Sequence, residues 1–169
     1  MPTILVIDDD KNYYDLFLER HLTLLGFIVF GVRNSEQGLE FSKNIRPDLI
    51  LLGWRIKNGF SGEESLRSFK SLTAMKNIPV VVMSEIKGRL EVELRARRAG
   101  AAQFITRNEI VDADEDKQVL ARRLQSLILD KQRVSSSARA MRRRTRSLDS
   151  TAMPTRSSRR AEAVRDAPD

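Results

Sequence analysis

Ile4-Leu5-Val6-Ile7-Asp8-Asp9-Asp10 sets four apolar residues directly against three carboxylates, and this junction decides how the rest of the chain is read. An Ile, Leu and Val run with no polar alternation marks a strand buried on both faces, and the acids mark where it leaves the sheet. Four more short apolar runs follow, at 27–32 (FIVFGV), 48–52 (DLILL), 78–83 (IPVVVM) and 102–106 (AQFIT). Segments of helical period separate them. Strands alternating with helices imply a parallel sheet covered on both sides. The runs 49–52 and 80–82 contain no polar residue, which predicts central strands.

The intervening segments carry their own punctuation. Residues 11–25 place Tyr14, Leu18, Leu22 and Leu25 on one stripe, and Gly26 follows as a left-handed helix stop. A second helix is expected from Ser35, read as its N-cap, to Ile45 before Arg46-Pro47. A third should run from Glu63 to Met75 with Leu66, Phe69, Leu72 and Thr73 inward, and a fourth from Arg89 to Ala99 before Gly100. The last should span Ala113 to Gln132, burying Val119, Leu120, Leu124, Leu127 and Ile128. His21 falls near the first stripe and reads as an ordinary half-buried residue without a function.

Composition bounds the rest. With 169 residues, 41% of them hydrophobic, the chain supports one core of ordinary domain size, placed at 1–132. There is no cysteine and only one histidine, so disulfides, thiolate metal sites and a histidine cluster for zinc are excluded, and His21 is not expected to form a Ser/His-type catalytic pair. No basic leader opens the sequence, and no apolar run approaches the roughly 20 residues of a membrane span, so a cytoplasmic protein without a membrane partner is expected. The net charge of +7 is uneven: residues 134–169 hold 9 arginines against 4 acids, leaving the globular part nearly neutral. Segment 133–169, rich in Arg and Ser and poor in large apolar residues, is expected to be disordered, and it is too short for a DNA-binding output domain.

In an open α/β sheet the residues just beyond the carboxyl ends of the strands converge on the ligand site. Here they are Asp8 and Asp9, Gly53, Ser84 and Arg107. The sequences Ile-Leu-Val-Ile-Asp8-Asp9-Asp10, Arg-Pro-Asp-Leu-Ile-Leu-Leu-Gly53-Trp, Ile-Pro-Val-Val-Val-Met-Ser84 and Gly-Ala-Ala-Gln-Phe104-Ile-Thr-Arg107 together resemble the response-regulator receiver domains of two-component signalling. The resemblance covers residues 1–132 in order. It implies a doubly wound, five-stranded parallel sheet of flavodoxin-like order 2-1-3-4-5. It also implies a phosphotransfer site with an aspartate nucleophile ending strand three, Mg²⁺ held by acids after strand one, and a hydroxyl and a lysine on the phosphoryl oxygens.

Several residues depart from that pattern. Asp8 and Asp9 match the metal-binding acids and Ser84 the hydroxyl, but Gly53 stands at the acceptor position and has no carboxylate to form an acyl phosphate. Losing that ligand predicts weak or absent Mg²⁺ binding at Asp8 and Asp9, and no other cofactor is expected. Arg107 replaces the lysine, and a guanidinium fork is not a substitute for a mobile ammonium. Two carboxylates without a cation would repel, so Arg55, Lys57 or Arg107 is expected to turn inward and neutralise Asp8 and Asp9. Phe104 matches the aromatic switch position of receivers, but a Phe in a fifth strand is more often an ordinary core residue, and without phosphate there is little to couple it to. Trp54 either covers the vacated pocket or offers itself to a partner.

The reading that follows is a stand-alone pseudo-receiver, not an enzyme, which binds a histidine kinase or other signalling protein through helix four, strand five and helix five independently of phosphate. A monomer or weak homodimer is expected. The alternative is a nucleic-acid-associated regulator using the basic cluster Arg142, Arg143, Arg144 and Arg146, whose lack of interleaved aromatics limits it to non-specific phosphate contacts. Phosphotransfer at Asp10 or Asp48 is a third reading, disfavoured for Asp48 because it begins strand three.

Overall fold

The computed structural model describes residues 1–56, 60–85, 90–111 and 117–149. Five strands, β1 (Thr3–Ile7), β2 (Ile28–Val32), β3 (Leu49–Gly53), β4 (Val80–Ser84) and β5 (Gln103–Thr106), pair in parallel in the order β2-β1-β3-β4-β5. Ile4 lies opposite Leu49 and Val29, Ile50 opposite Val80, and Val82 opposite Phe104. The expected order and parallel sense are therefore present. β3 is buried along its whole length and β4 along all but Ser84, as expected for central strands without polar residues.

Period-two alternation divides the sheet residues between two cores. Ile4, Val6, Leu49, Leu51, Val81, Met83 and Ile105 face one side, with Leu18, Leu22, Leu120, Leu124 and Ile128 from the helices covering it. Leu5, Ile7, Ile50, Leu52, Val80 and Val82 face the other, against Leu66, Phe69, Met75, Ile78 and Ala96. Each such leucine or isoleucine contributes about 1.5–3 kcal/mol by leaving water.

Helix α1 comprises Lys11–Tyr13, a π-helical Tyr14–Leu18 and Glu19–Leu24, and the chain leaves it through Gly26 at φ 88°. Leu18 and Leu22 are buried, while Tyr14, His21 and Leu25 are half-buried. Helix α2 (Ser35–Ile45) is capped by Asn34, whose side chain accepts from the Gln37 amide; Ser35, read as the cap, is the first helical residue and is buried. Asn and Ser are equally good caps, and the adjacent pair conceals which one serves.

Helix α3 (Gly62–Ser71) opens on a capping box between Ser61 and Glu64. It stops four residues before the expected Met75 because Leu72 is extended, so Leu72 and Thr73 are exposed instead of inward. Helix α4 is Leu90–Arg98, followed by Gly100 at φ 102°, and a short α5 spans Arg107–Val111.

The last helix, α6 (Lys117–Asp149), differs most from expectation. Val119 is exposed, and the helix does not end at Gln132 but runs through part of the segment expected to be disordered. The continuation is rich in Arg, a good helix former even where it cannot build a core. The expected helix start at Ala113 and the segment 150–169 lie outside the described residues. By internal contacts the chain divides into two units, Met1–Ser135 and Ser136–Asp169.

Candidate functional site

β1, β3, β4 and β5 deliver Asp8, Gly53, Ser84 and Arg107 to the same edge of the sheet, because all four strands point the same way. Among the described residues Asp8 is the one buried acid there, with its side chain fully enclosed. Its Oδ1 accepts from the Asp10 amide at 2.9 Å, which fixes the strand-to-helix turn. Asp10 in turn caps α1 by accepting from the Tyr13 amide at 3.0 Å. Asp9 is half-buried between them.

Arg107 fills the space between these acids. Its Nη2 donates to both oxygens of Asp8 at 2.7 Å, while Nη1 donates to Asp10 Oδ2 and to Glu85 Oε1, each at 3.1 Å. The guanidinium lies 4.6 Å from the centre of the Tyr13 ring, and the Tyr13 hydroxyl donates to the Arg107 carbonyl at 3.1 Å. The side chain of Arg107 is only 12% exposed, so this charge is held by protein groups rather than by water. Thr106 helps set its origin by accepting from the Glu109 amide at the start of α5.

The electrostatics follow from burial. Desolvation raises the Asp8 pKa above 3.8 and outweighs both the Asp10 amide bond and Arg107, with neighbouring Asp9 adding to the rise. Burial alone would lower the Arg107 pKa, but Asp8, Glu85 and Asp10 more than compensate and hold it above its ordinary value. The contacts of Asp10, led by the Tyr13 amide, keep its carboxyl below the usual range. Burial also pushes the Tyr13 phenol well up. A permanent cation is thus clamped against a carboxylate that the fold has stripped of water.

Gly53 makes room for this arrangement. A Cβ there would lie 3.2 Å from Asp8 Oδ2 and 3.3 Å from the Ile7 carbonyl, so the Asp8 carboxylate occupies space that any side chain at 53 would contest. The following loop returns close by: a Cβ on Gly62 would come within 2.7 Å of the Gly53 carbonyl and of Trp54, and glycine alone permits that approach. Both oxygens of Asp8 are already bonded to Arg107, and among the described residues no group of three or more acids or histidines is placed to hold a metal ion. The donor set does not fit Mg²⁺, which requires an oxygen cage with near-octahedral geometry.

The other predicted residues distribute around a cleft of about 290 Å³, lined among others by Trp54, Arg55, Ser84, Glu91, Arg95 and Arg107. Ser84 is half-buried at the end of β4. Arg55 is exposed at the cleft wall and does not enter the acid cluster; Lys57 lies outside the described residues. Trp54 is half-buried with Arg95 over its ring at 5.7 Å, and Arg95 is anchored by Glu63. Phe104 is half-buried against the α2–α4 side core. Asp48 sits at the opposite end of the sheet, accepting from the Thr3 amide at 2.9 Å.

Tyr13 and Glu85 complete the Arg107 cluster and were missed from sequence, since neither lies on an apolar stripe or in a strand-end motif. Backbone positions Arg142, Arg143, Arg144 and Arg146 fall within α6. Among the described residues no helix is long and apolar enough to cross a membrane.

Comparison with known proteins is consistent across three kinds of match. The model of the response regulator receiver domain matches residues 4–115, more than half of the chain. The phosphate regulon transcriptional regulatory protein PhoB of Pseudomonas aeruginosa is 29% identical over 105 residues, covering 62% of this chain and 44% of that protein. Sporulation initiation phosphotransferase F of Bacillus subtilis is 28% identical over 113 residues, covering 67% of this chain and 87% of the relative. The crystal structure of NtrX from Brucella abortus shares the fold with a TM-score of 0.68 at 24% identity, over 80% of this chain and 29% of that one. The chain thus spans about half the length, or less, of some relatives that it matches.

Proposed function

This chain belongs to the response regulator receiver domain family, and from that premise we propose that it serves two-component signalling as a protein-interaction module that operates without aspartyl phosphate. The observation that carries the reading is the Arg107 guanidinium bonded to both Asp8 oxygens beside a glycine at the strand-three end. Gly53 offers no nucleophile, and the cation that a phosphoryl group would attract is already neutralised within the fold. The pocket is held in one arrangement by an internal ion pair.

A partner surface is available on the face formed by α4, β5 and α6. Leu90 and Leu94 of α4 are 67% and 41% exposed and Val119 of α6 is 41% exposed. A histidine kinase or another signalling protein is the class of partner this proposal assigns to it. The alternative of nucleic-acid binding through Arg142–Arg146 rests on charge alone and is not adopted.

The test is labelling with radioactive acetyl phosphate and Mg²⁺. Wild type is expected to remain unlabelled. Gly53→Asp alone supplies a carboxylate but leaves Arg107 in place, so label is expected only when Arg107→Lys is added. Label on the wild-type chain would overturn the proposal by revealing another acceptor.

A further inference from the structure

The sheet ends in two edges of different character. β5 is 4 residues long, its Gln103 side chain faces Arg123, and Arg123 pairs with Glu109 at 3.8 Å. Short length and nearby charges keep an edge strand from pairing with another chain. β2 has no such guard. Its 5 residues, Ile28-Val29-Phe30-Gly31-Val32, include no charge and no proline, and Ile28 and Phe30 are 43% and 37% exposed.

The backbone of β2 is used on one side only. The Ile28 amide donates to the Pro2 carbonyl at 3.0 Å and the Val32 carbonyl accepts from the Asp8 amide at 3.1 Å, so Ile28, Phe30 and Val32 turn their polar groups toward β1. Val29 and Gly31 turn theirs outward, where they meet no partner among the described residues. The outward amides just beyond them are taken: Phe27 donates to the Leu22 carbonyl at 3.2 Å and Arg33 to Gln37 Oε1 at 3.4 Å.

We propose that β2 pairs antiparallel with β2 of a second copy of this chain, joining two sheets into one across a two-fold axis at Phe30. In that register Val29 and the partner's Gly31 exchange both of their hydrogen bonds, and symmetry repeats the exchange. A shift of one residue would set outward groups against groups already bonded to β1. A shift of two would set Gly31 against the partner's Phe27, or Val29 against the partner's Arg33, whose amides are occupied.

The side chains favour the same occupant. On the α2 face, where Phe30 packs edge-on against Phe41 with ring centres 5.6 Å apart, Ile28 meets the partner's Val32 and Phe30 meets the partner's Phe30. On the α1 face the Tyr14 ring is folded over Gly31 so closely that a Cβ there would collide with it, and it offers an aromatic surface to the partner's Val29. Arg33, the nearest charge along the strand, lies beyond the seam and is paired with Asp15 at 3.2 Å. One uncharged strand thus supplies both halves of a matched seam, and the nearly neutral globular part lets two copies approach without repulsion. The inference is independent of the reading of the Asp8–Arg107 pocket.

A seam this short makes a weak pair. Sedimentation equilibrium of the full chain should show an average mass rising with concentration from 19.3 kDa toward twice that value. Phe30→Lys sets two ammonium groups against each other at the axis and should abolish the dimer. Val29→Pro should weaken it strongly, because it removes an outward N–H without touching the ladder to β1. Both variants should keep the circular dichroism of the folded domain. The chain has no cysteine, so Phe30→Cys introduces a single thiol. Opposed residues of a pair without mutual hydrogen bonds lie about 4.5 Å apart between Cα atoms, within disulfide reach, so Phe30→Cys should cross-link rapidly on mild oxidation. Ile28→Cys would leave its two thiols about 14 Å apart along the strands and should not. A mass fixed at the monomer value at every concentration would overturn the proposal, as would a dimer indifferent to both Phe30→Lys and Val29→Pro. Cross-linking of Ile28→Cys as fast as that of Phe30→Cys would overturn the register.

Discussion

Asp8 and Asp48 sit at opposite ends of the sheet, and each meets a cation supplied from far along the sequence. At the carboxyl end Arg107 Nη2 lies 2.7 Å from both Asp8 oxygens, with side chains 12% and 0% exposed. At the amino end Lys131 Nζ lies 3.8 Å from Asp48, with side chains 19% and 32% exposed. Lys131 also has the Pro47 carbonyl, and Asp48 has the Thr3 amide, so each would keep a partner if the other were removed. Asp8 without Arg107 would keep one amide bond and a buried charge. Equal formal charges thus do different work: one pair fastens a helix to a strand, the other fills the centre of a site.

Substitutions sharpen this contrast. Arg107→Ala should cost about 3–5 kcal/mol, the penalty for stranding one member of a buried pair, read from urea denaturation at pH 8. The cost should be smaller at pH 5. Burial raises the folded Asp8 pKa above 3.8, and losing Arg107 raises it further, so the stabilising protonated form is complete below 3.8 and is lost as the pH rises through the folded value. A cost independent of pH would place the effect elsewhere than Asp8. Tyr13→Leu removes the ring beneath the guanidinium and the hydroxyl bond to its carbonyl, and about 1–2 kcal/mol is expected by the same assay. Lys131→Ala should cost no more than about 1 kcal/mol, since the pair is long and partly solvated. A loss at Lys131 equal to that at Arg107 would erase the distinction between the two ends.

The same contrast explains what could be read from sequence. The strands are legible because each core-facing run is short, apolar and bounded, and because both faces of β3 and β4 are covered the runs contain no polar interruption. Asp8, Gly53, Ser84 and Arg107 follow from strand ends in a parallel sheet. What remained hidden depends on contacts across long sequence separations. Nothing local marks Tyr13 as the surface beneath Arg107 or Glu85 as its third acid. Arg55 and Arg107 offered the same charge, and only the placement of Arg107 at the start of α5, directly after β5, turns one of them inward. Helix ends were misread where a second determinant competed, as with Asn34 beside Ser35 and the extended Leu72. The helix α6 runs past Gln132 to Asp149, a continuation that core-forming hydrophobicity does not mark and that its arginines, good helix formers, allow.

The most direct test of the central claim is a Mg²⁺ titration of the wild-type chain at neutral pH, followed by calorimetry and by the thermal unfolding midpoint. With Arg107 seated on both Asp8 oxygens and no carboxylate at position 53, the account predicts no saturable heat and no rise in the midpoint across millimolar Mg²⁺, since an ion that does not bind the folded state cannot stabilise it. Saturable binding with a matching rise in the midpoint would mean that the cation displaces Arg107, and the pocket would be an operating metal site after all.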